Sequence, residues 1–179
     1  MKVFIGGPRS ISRLNKLVKE RLLNITNNSF TILVGDANGV DKAIQNFCNE
    51  LNYSNVQVFA SNGKARNNIG NWEIIEVEVP KSKKGFDFYA AKDIAMAKDS
   101  DCGFMIWNGQ SKGTLNNIVN LCSMNKKVLV YFAPHKKFYA IKELDDIKWL
   151  VKQCDSSIND LLYECLKRIE KNSQISLDI

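Results

Sequence analysis

The sequence predicts an α/β protein: a parallel sheet with helices on both faces, plus two C-terminal helices. Three observations carry that expectation. The runs Val3–Ile5, Phe30–Val34, Cys102–Trp107 and Lys127–Phe132 are nearly continuous in apolar residues, as strands buried on both faces are. Segments with helical apolar spacing separate them. Glycine-containing turns follow three of the runs: GGPRS from Gly6 to Ser10, GDANGVD from Gly35 to Asp41, and NGQSKGT from Asn108 to Thr114. Right-handed crossovers then place the first strand centrally, with Cys102–Trp107 across the switch point from it.

The elements follow in order. Val3–Ile5 ends at Gly6-Gly7, and Ser10 or Ser12 caps a helix on which Leu14, Leu17, Val18 and Leu22 recur at helical spacing. Asn27-Asn28-Ser29 ends that helix, and the second strand, Phe30–Val34, runs straight into Gly35. Asn38 or Gly39 starts a helix with Val40, Ala43, Ile44, Phe47, Cys48 and Leu51 on one face. Val56–Phe59 is the third strand, and the polar stretch from Ser61 to Asn71 is irregular. From Trp72 to Val79, glutamates interleave with apolar residues, which predicts a half-exposed strand stopped by Pro80. Phe86 to Lys98 is a helix with Phe88, Ala91, Ala95 and Met96 inward; Thr114 to Met124 is another. After Pro134, Ile141 to Gln153 and Ile158 to Lys171 read as two helices, the second capped by Ser156-Ser157. The last residues are expected to fray. The whole is expected to be one domain, with a core over 1–132 and a helical extension over 133–179.

Bulk properties narrow the function classes. The chain has 179 residues, 45% hydrophobic and 25% charged, an ordinary globular composition. The net charge of +6 favours anionic partners. Five cysteines, odd in number and without a CxxC pair, fit reduced buried thiols and a cytoplasmic location. The opening MKVFIGG reads as a strand rather than a leader, and no apolar run approaches membrane length. With His135 as the single histidine and no Cys/His cluster, no metal site is expected, and no separate cofactor either.

The chemistry is expected where the three turns meet, outside the carboxyl ends of the strands. Glycines there let backbone approach an anion, and unpaired N–H groups at a helix start point toward it. The candidate ligand-binding residues are Gly6, Gly7, Arg9 and Ser10, then Gly35, Gly39 and Asp41, then Asn108, Gly109, Ser111, Gly113 and Thr114. Gly113-Thr114 is expected to open the helix, with Ser111 and Thr114 adding hydroxyls. Arg9 is either a bidentate clamp for phosphate or carboxylate or a surface arginine after a turn. Asp41 either holds a ribose hydroxyl or complements the helix dipole. Trp107 either stacks a base or packs in the core.

GGPRS, GDANGVDKAI and KDIAMAKDSDCGFMIWNGQSKGTLNNI followed by KKVLVYF together resemble the SLOG superfamily of Rossmann-like domains. That superfamily includes the DNA-processing DprA proteins and the Lonely Guy phosphoribohydrolases; the nearest likeness is to small bacterial and phage SLOG proteins related to YpsA and YspA. The likeness covers Met1 to Phe132. It implies a nucleotide or nucleotide-derived ligand at the strand ends, a homo-oligomer, and a bacterial or phage conflict role. It also implies that Arg66 and Asn67, in the irregular insert, reach the ligand.

One departure bears on mechanism. The Lonely Guy enzymes carry a glutamate three residues beyond their Gly-Thr pair, and here that position is Asn117. An amide is no general base, nor does it offset an oxocarbenium charge. The reading that fits best is a nucleotide-binding or sensing protein without robust turnover. An N-glycosidase with a relocated carboxylate, Asp41 or Asp93, is the alternative, and DprA-like DNA binding is the second alternative.

Overall fold

The computed structural model of the chain describes residues 1–82 and 84–175. The expected fraying at the end falls on 176–179, outside the described residues. Among the described residues, seven strands form one sheet: β1 (Lys2–Gly6), β2 (Thr31–Gly35), β3 (Val56–Ser61), β4 (Glu73–Val77), β5 (Cys102–Trp107), β6 (Val128–Phe132) and β7 (Lys137–Ile141). Six α-helices accompany them: α1 (Lys16–Asn27), α2 (Val40–Glu50), α3 (Gly85–Asp99), α4 (Lys112–Ser123), α5 (Leu144–Val151) and α6 (Ser157–Ile175). The spatial order is β4-β3-β2-β1-β5-β6-β7, parallel except for the β6–β7 pair. The strand order reverses between β1 and β5, where Val3 pairs with Cys102 and Gly6 with Met105. That is the switch point the crossover rules anticipate.

Alternation along the strands divides the core. Val3, Ile5, Ile32, Val34, Phe104 and Ile106 pack under α1 and α2. Phe4, Leu33, Met105, Trp107, Val130 and Phe132 face the layer of α3, α4, α5 and α6. Helix α4 lies amid that second layer, in contact with α3, α5, α6, β5 and β6. Every residue from Thr114 to Cys122 is therefore buried, polar ones included. Edge strand β4 carries exposed Glu73 and Glu76, charges that discourage pairing with another chain. Among the described residues, no helix is long and apolar enough to cross a membrane.

Three expectations change. Helix α1 starts later than Ser10 or Ser12: its N-cap is Asn15, whose side chain accepts from the Val18 N–H, a cap worth about 1 kcal/mol. The Pro8 carbonyl accepts from Ile11 and Val40, which keeps the preceding segment as a turn. Leu17 is consequently exposed, and Ile25 joins Val18 and Leu22 in the core. Residues 137–141, with no element assigned and the second-last helix expected from Ile141, form β7 instead, and α5 starts at Leu144. Helix α4 begins at Lys112, one residue before the expected Gly113-Thr114 opening.

Candidate functional site

A cleft of about 610 Å³ opens at the carboxyl ends of β1, β2 and β5. The turns after β1 and β5 are tied together by a hydrogen bond from the Asn108 amide to the Ser10 hydroxyl, 3.3 Å. Asn108 also accepts from the Gln110 and Ser111 N–H groups, fixing the approach to α4. Ser111 caps α4 by accepting from the Thr114 N–H. The N–H groups of Lys112 and Gly113, in the first helical turn, have no carbonyl within the helix to bond. An added side chain at Gly113 would meet nothing within 4 Å, so this helix start stands open.

Exposure separates a mouth from a floor. At the mouth lie Arg9, Ser10, Gln110, Lys112 and the aromatic residues Phe86 and Tyr89 of α3. The Arg9 guanidinium sits 5.0 Å from the Tyr89 ring centroid, and that of Arg66 lies 5.1 Å from it. Lys112 pairs with Glu164 at 2.7 Å and lies over Phe86. Arg9 has no carboxylate partner among the described residues.

The floor is an ionic cluster. Lys92 is 4% exposed, with its ammonium 3.2 Å from Asp93, 3.7 Å from Asp36 and 4.0 Å from Asp41. Arg66 grips Asp36 through Nε (2.9 Å) and Nη2 (2.7 Å), and its backbone N–H adds a third bond. Three carboxylates thus face two cations, leaving one negative charge in excess when all are ionised. Burial pushes Asp41 upward, Lys92 opposes it and Asp93 reinforces it; the carboxyl ends at about 6. Burial would also raise Asp36, but the Arg66 hydrogen bonds and the neighbouring cations hold it below the ordinary carboxylate value. Burial would lower Lys92; the three carboxylates outweigh it and raise the lysine instead. A carboxyl poised near neutrality in a cleft is suited to proton transfer.

The expected residues divide accordingly. Gly6, Gly7, Arg9, Ser10, Asp41, Arg66, Asn108, Ser111, Gly113 and Thr114 line the cleft, as does Asp93. Gly35, Gly39, Asn67 and Gly109 lie outside its wall. Gly35 sits beneath the cluster, where a side chain would fall on the Asp41 carboxylate and the Lys92 ammonium. Gly39 has φ +84° and packs against the Arg9 backbone, bringing the β2 turn onto the β1 turn. Gly109 packs against Phe132 and Cys154. Asn67 braces the insert, donating to the Asp36 carbonyl (2.8 Å) and to Asn38. Arg66 does reach the cleft, but with its charge engaged by Asp36. Trp107 is buried, donating to the Ser111 carbonyl, so it serves the core and the turn.

Sequence reasoning missed Lys92 and Gln45. Lys92 lies four residues before the inward-facing Met96, so helical spacing alone puts it on the buried face. Gln45 is fully buried; it donates to the carbonyls of Gly35 and Asn67 and accepts from the Ile69 N–H, pinning the insert to β2.

This architecture recurs in a solved structure. DNA processing protein A from Helicobacter pylori is similar to this chain with a TM-score of 0.54, at 16% identity over 73% of this chain. This chain spans 64% of that protein, whose structure concerns its single-stranded DNA binding mode. At that identity the likeness shows the fold, a Rossmann-like α/β sheet, and nothing finer. No protein-family profile and no curated protein matches the chain.

Proposed function

We propose that the cleft binds a phosphorylated nucleotide, with the phosphate at the mouth against Arg9 and the start of α4. The observation that carries this reading is the Asn108–Ser10 bond, which brings two strand-end turns and an open helix N-terminus to one cleft beside Arg9, a cation with no carboxylate partner among the described residues. Free N–H groups and the helix dipole favour an anion there. The volume is within the range of small-molecule sites. Binding without turnover suits an amide, Asn117, at the floor.

Calorimetric titration with nucleoside 5′-monophosphates tests the reading. Wild-type protein is expected to bind, and Arg9→Ala to bind at least tenfold more weakly, the loss of one charge-assisted hydrogen bond. Equal binding by both proteins contradicts it. Sustained release of free base that disappears in Asp41→Asn or Asp93→Asn marks the site as an N-glycosidase instead.

A second reading, binding of single-stranded DNA across the mouth, draws on the cationic groups Arg9 and Lys112 there and on the solved neighbour. It requires affinity for oligonucleotides that falls steeply with salt; a flat salt response dismisses it.

A further inference from the structure

The cations around the cleft are held to different degrees. Arg9 has no carboxylate partner among the described residues. Arg66 is bound to Asp36 through two side-chain hydrogen bonds, and the Asp36 side chain is 4% exposed, so that pair is bidentate and enclosed. Lys112 lies between these extremes. It lines the cleft from the first residue of α4, and among the described residues it donates one side-chain hydrogen bond, 2.7 Å to Glu164. The two side chains are 34% and 54% exposed. A lone exposed ion pair contributes little to stability, so it exchanges partners readily.

Glu164 comes from α6, in the C-terminal extension beyond residues 1–132. The helix is anchored in the core through Ile158, Leu162 and Cys165, so Glu164 projects from a fixed support. One turn further on, Arg168 reaches Asp87, in the first turn of α3, at 3.6 Å. Lys112 and Arg168 both lie over the Phe86 ring, at 5.3 Å and 4.9 Å from its centroid, and Phe86 is a wall of the cleft. Helix α3 itself begins without a side-chain cap. One face of α6 thus grips the start of α4 and the start of α3 together. The Lys112 hydrogen bond holds Glu164 below the usual carboxylate range, so the pair is ionised at neutral pH.

We propose that Glu164 is an autoinhibitory competitor at the mouth: it holds the Lys112 ammonium against α6, and an anionic ligand binds fully only by taking that ammonium from it. This rests on the nucleotide reading of the same cleft. Lys112 carries its charge on a flexible four-carbon stem, so the exchange needs no movement of the backbone. A phosphate at the open start of α4 offers the ammonium a partner of higher charge than one carboxylate. Arg66 cannot take part in the same way, because its partner is enclosed.

A double-mutant cycle tests the contact. Calorimetry with adenosine 5′-monophosphate is run on wild type, Glu164→Gln, Lys112→Gln and the double variant, with circular dichroism to verify that all four are folded. Glu164→Gln is expected to bind at least about threefold more tightly than wild type, the scale of one exposed ion pair. In the Lys112→Gln background the same substitution is expected to change affinity by less than about 1.5-fold, since the two residues act as a pair. If Glu164→Gln binds no more tightly than wild type, the autoinhibitory contact is overturned while the nucleotide reading stands. A gain that persists undiminished in Lys112→Gln also overturns it, because Glu164 then repels the anion directly and does not act through Lys112. If none of the four proteins binds, the nucleotide reading falls and the contact falls with it.

Discussion

Lys92 decides the energetics of the floor residue by residue. Removing one partner of a buried ionic cluster leaves the others uncompensated, typically at a cost of about 3–5 kcal/mol. Lys92→Met is expected to destabilise by roughly that amount at pH 7 in urea denaturation, and by less at pH 5, where Asp41 takes up a proton. The sign for Asp41 follows from its raised carboxyl, at about 6 against 3.8 unfolded. Between those values the folded protein holds a proton that the unfolded chain releases, so this group's contribution to stability falls as pH rises through that window. Relative to wild type, Asp41→Asn is therefore expected to gain on the order of 2 kcal/mol between pH 4.5 and pH 7; a parallel pH dependence in the two proteins contradicts it. Asp41 was legible as a candidate because its helix opens at a glycine turn, and Asp93 only as a carboxylate that could stand in for the missing glutamate. Their coupling was not, because it runs through Lys92, whose burial is set by α3 packing on the sheet rather than by any local motif. Arg66 was legible as a residue that reaches the cleft, but its engagement with Asp36 depends on a fold of the insert that composition does not specify.

At the scale of elements, the turns succeed where a glycine's backbone is demanded by a neighbour. Gly39→Ala introduces a side chain at φ +84° against the Arg9 backbone. It is expected to cost about 2 kcal/mol or more, and to weaken nucleotide binding by displacing Arg9. Gly113→Ala is the contrast: open space and a helical position predict a neutral change or a gain of up to about 1 kcal/mol. Chemical denaturation of the two variants measures both, and equal effects would show that the turn packing has been misread. The buried strands were legible because parallel strands covered on both faces read as continuous apolar runs. Strand β7 was not. It is reached through a tight turn at Ala133–His135, with Lys136 at φ 51° rather than a glycine, and its residues are mostly part-exposed on an antiparallel edge. The aromatic pair Phe138-Tyr139 was its one available signal. The start of α1 was misplaced for a related reason: two serines upstream are equally good caps in isolation, and the hydrogen bonds of Pro8 select Asn15.

For the whole molecule, the net charge of +6 conceals a division. Cations gather at the mouth of the cleft, while its floor carries an excess of carboxylates. A uniformly basic groove would suit a polyanion along its length; the division of charge here suits an anion at the mouth alone, as the proposed function requires. The central place of β1 beside β5 followed from crossover rules applied to the sequence, and so did the location of the cleft at their carboxyl ends. The polarity of the cleft did not, since it arises where α3, α4 and the insert pack against three strand ends at once. A crystal structure of the protein with adenosine 5′-monophosphate tests the account most directly. The account predicts the phosphate within hydrogen-bonding distance of the Gly113 N–H and the Arg9 guanidinium. A phosphate found against Asp41 and Asp93, or outside the cleft altogether, would contradict it.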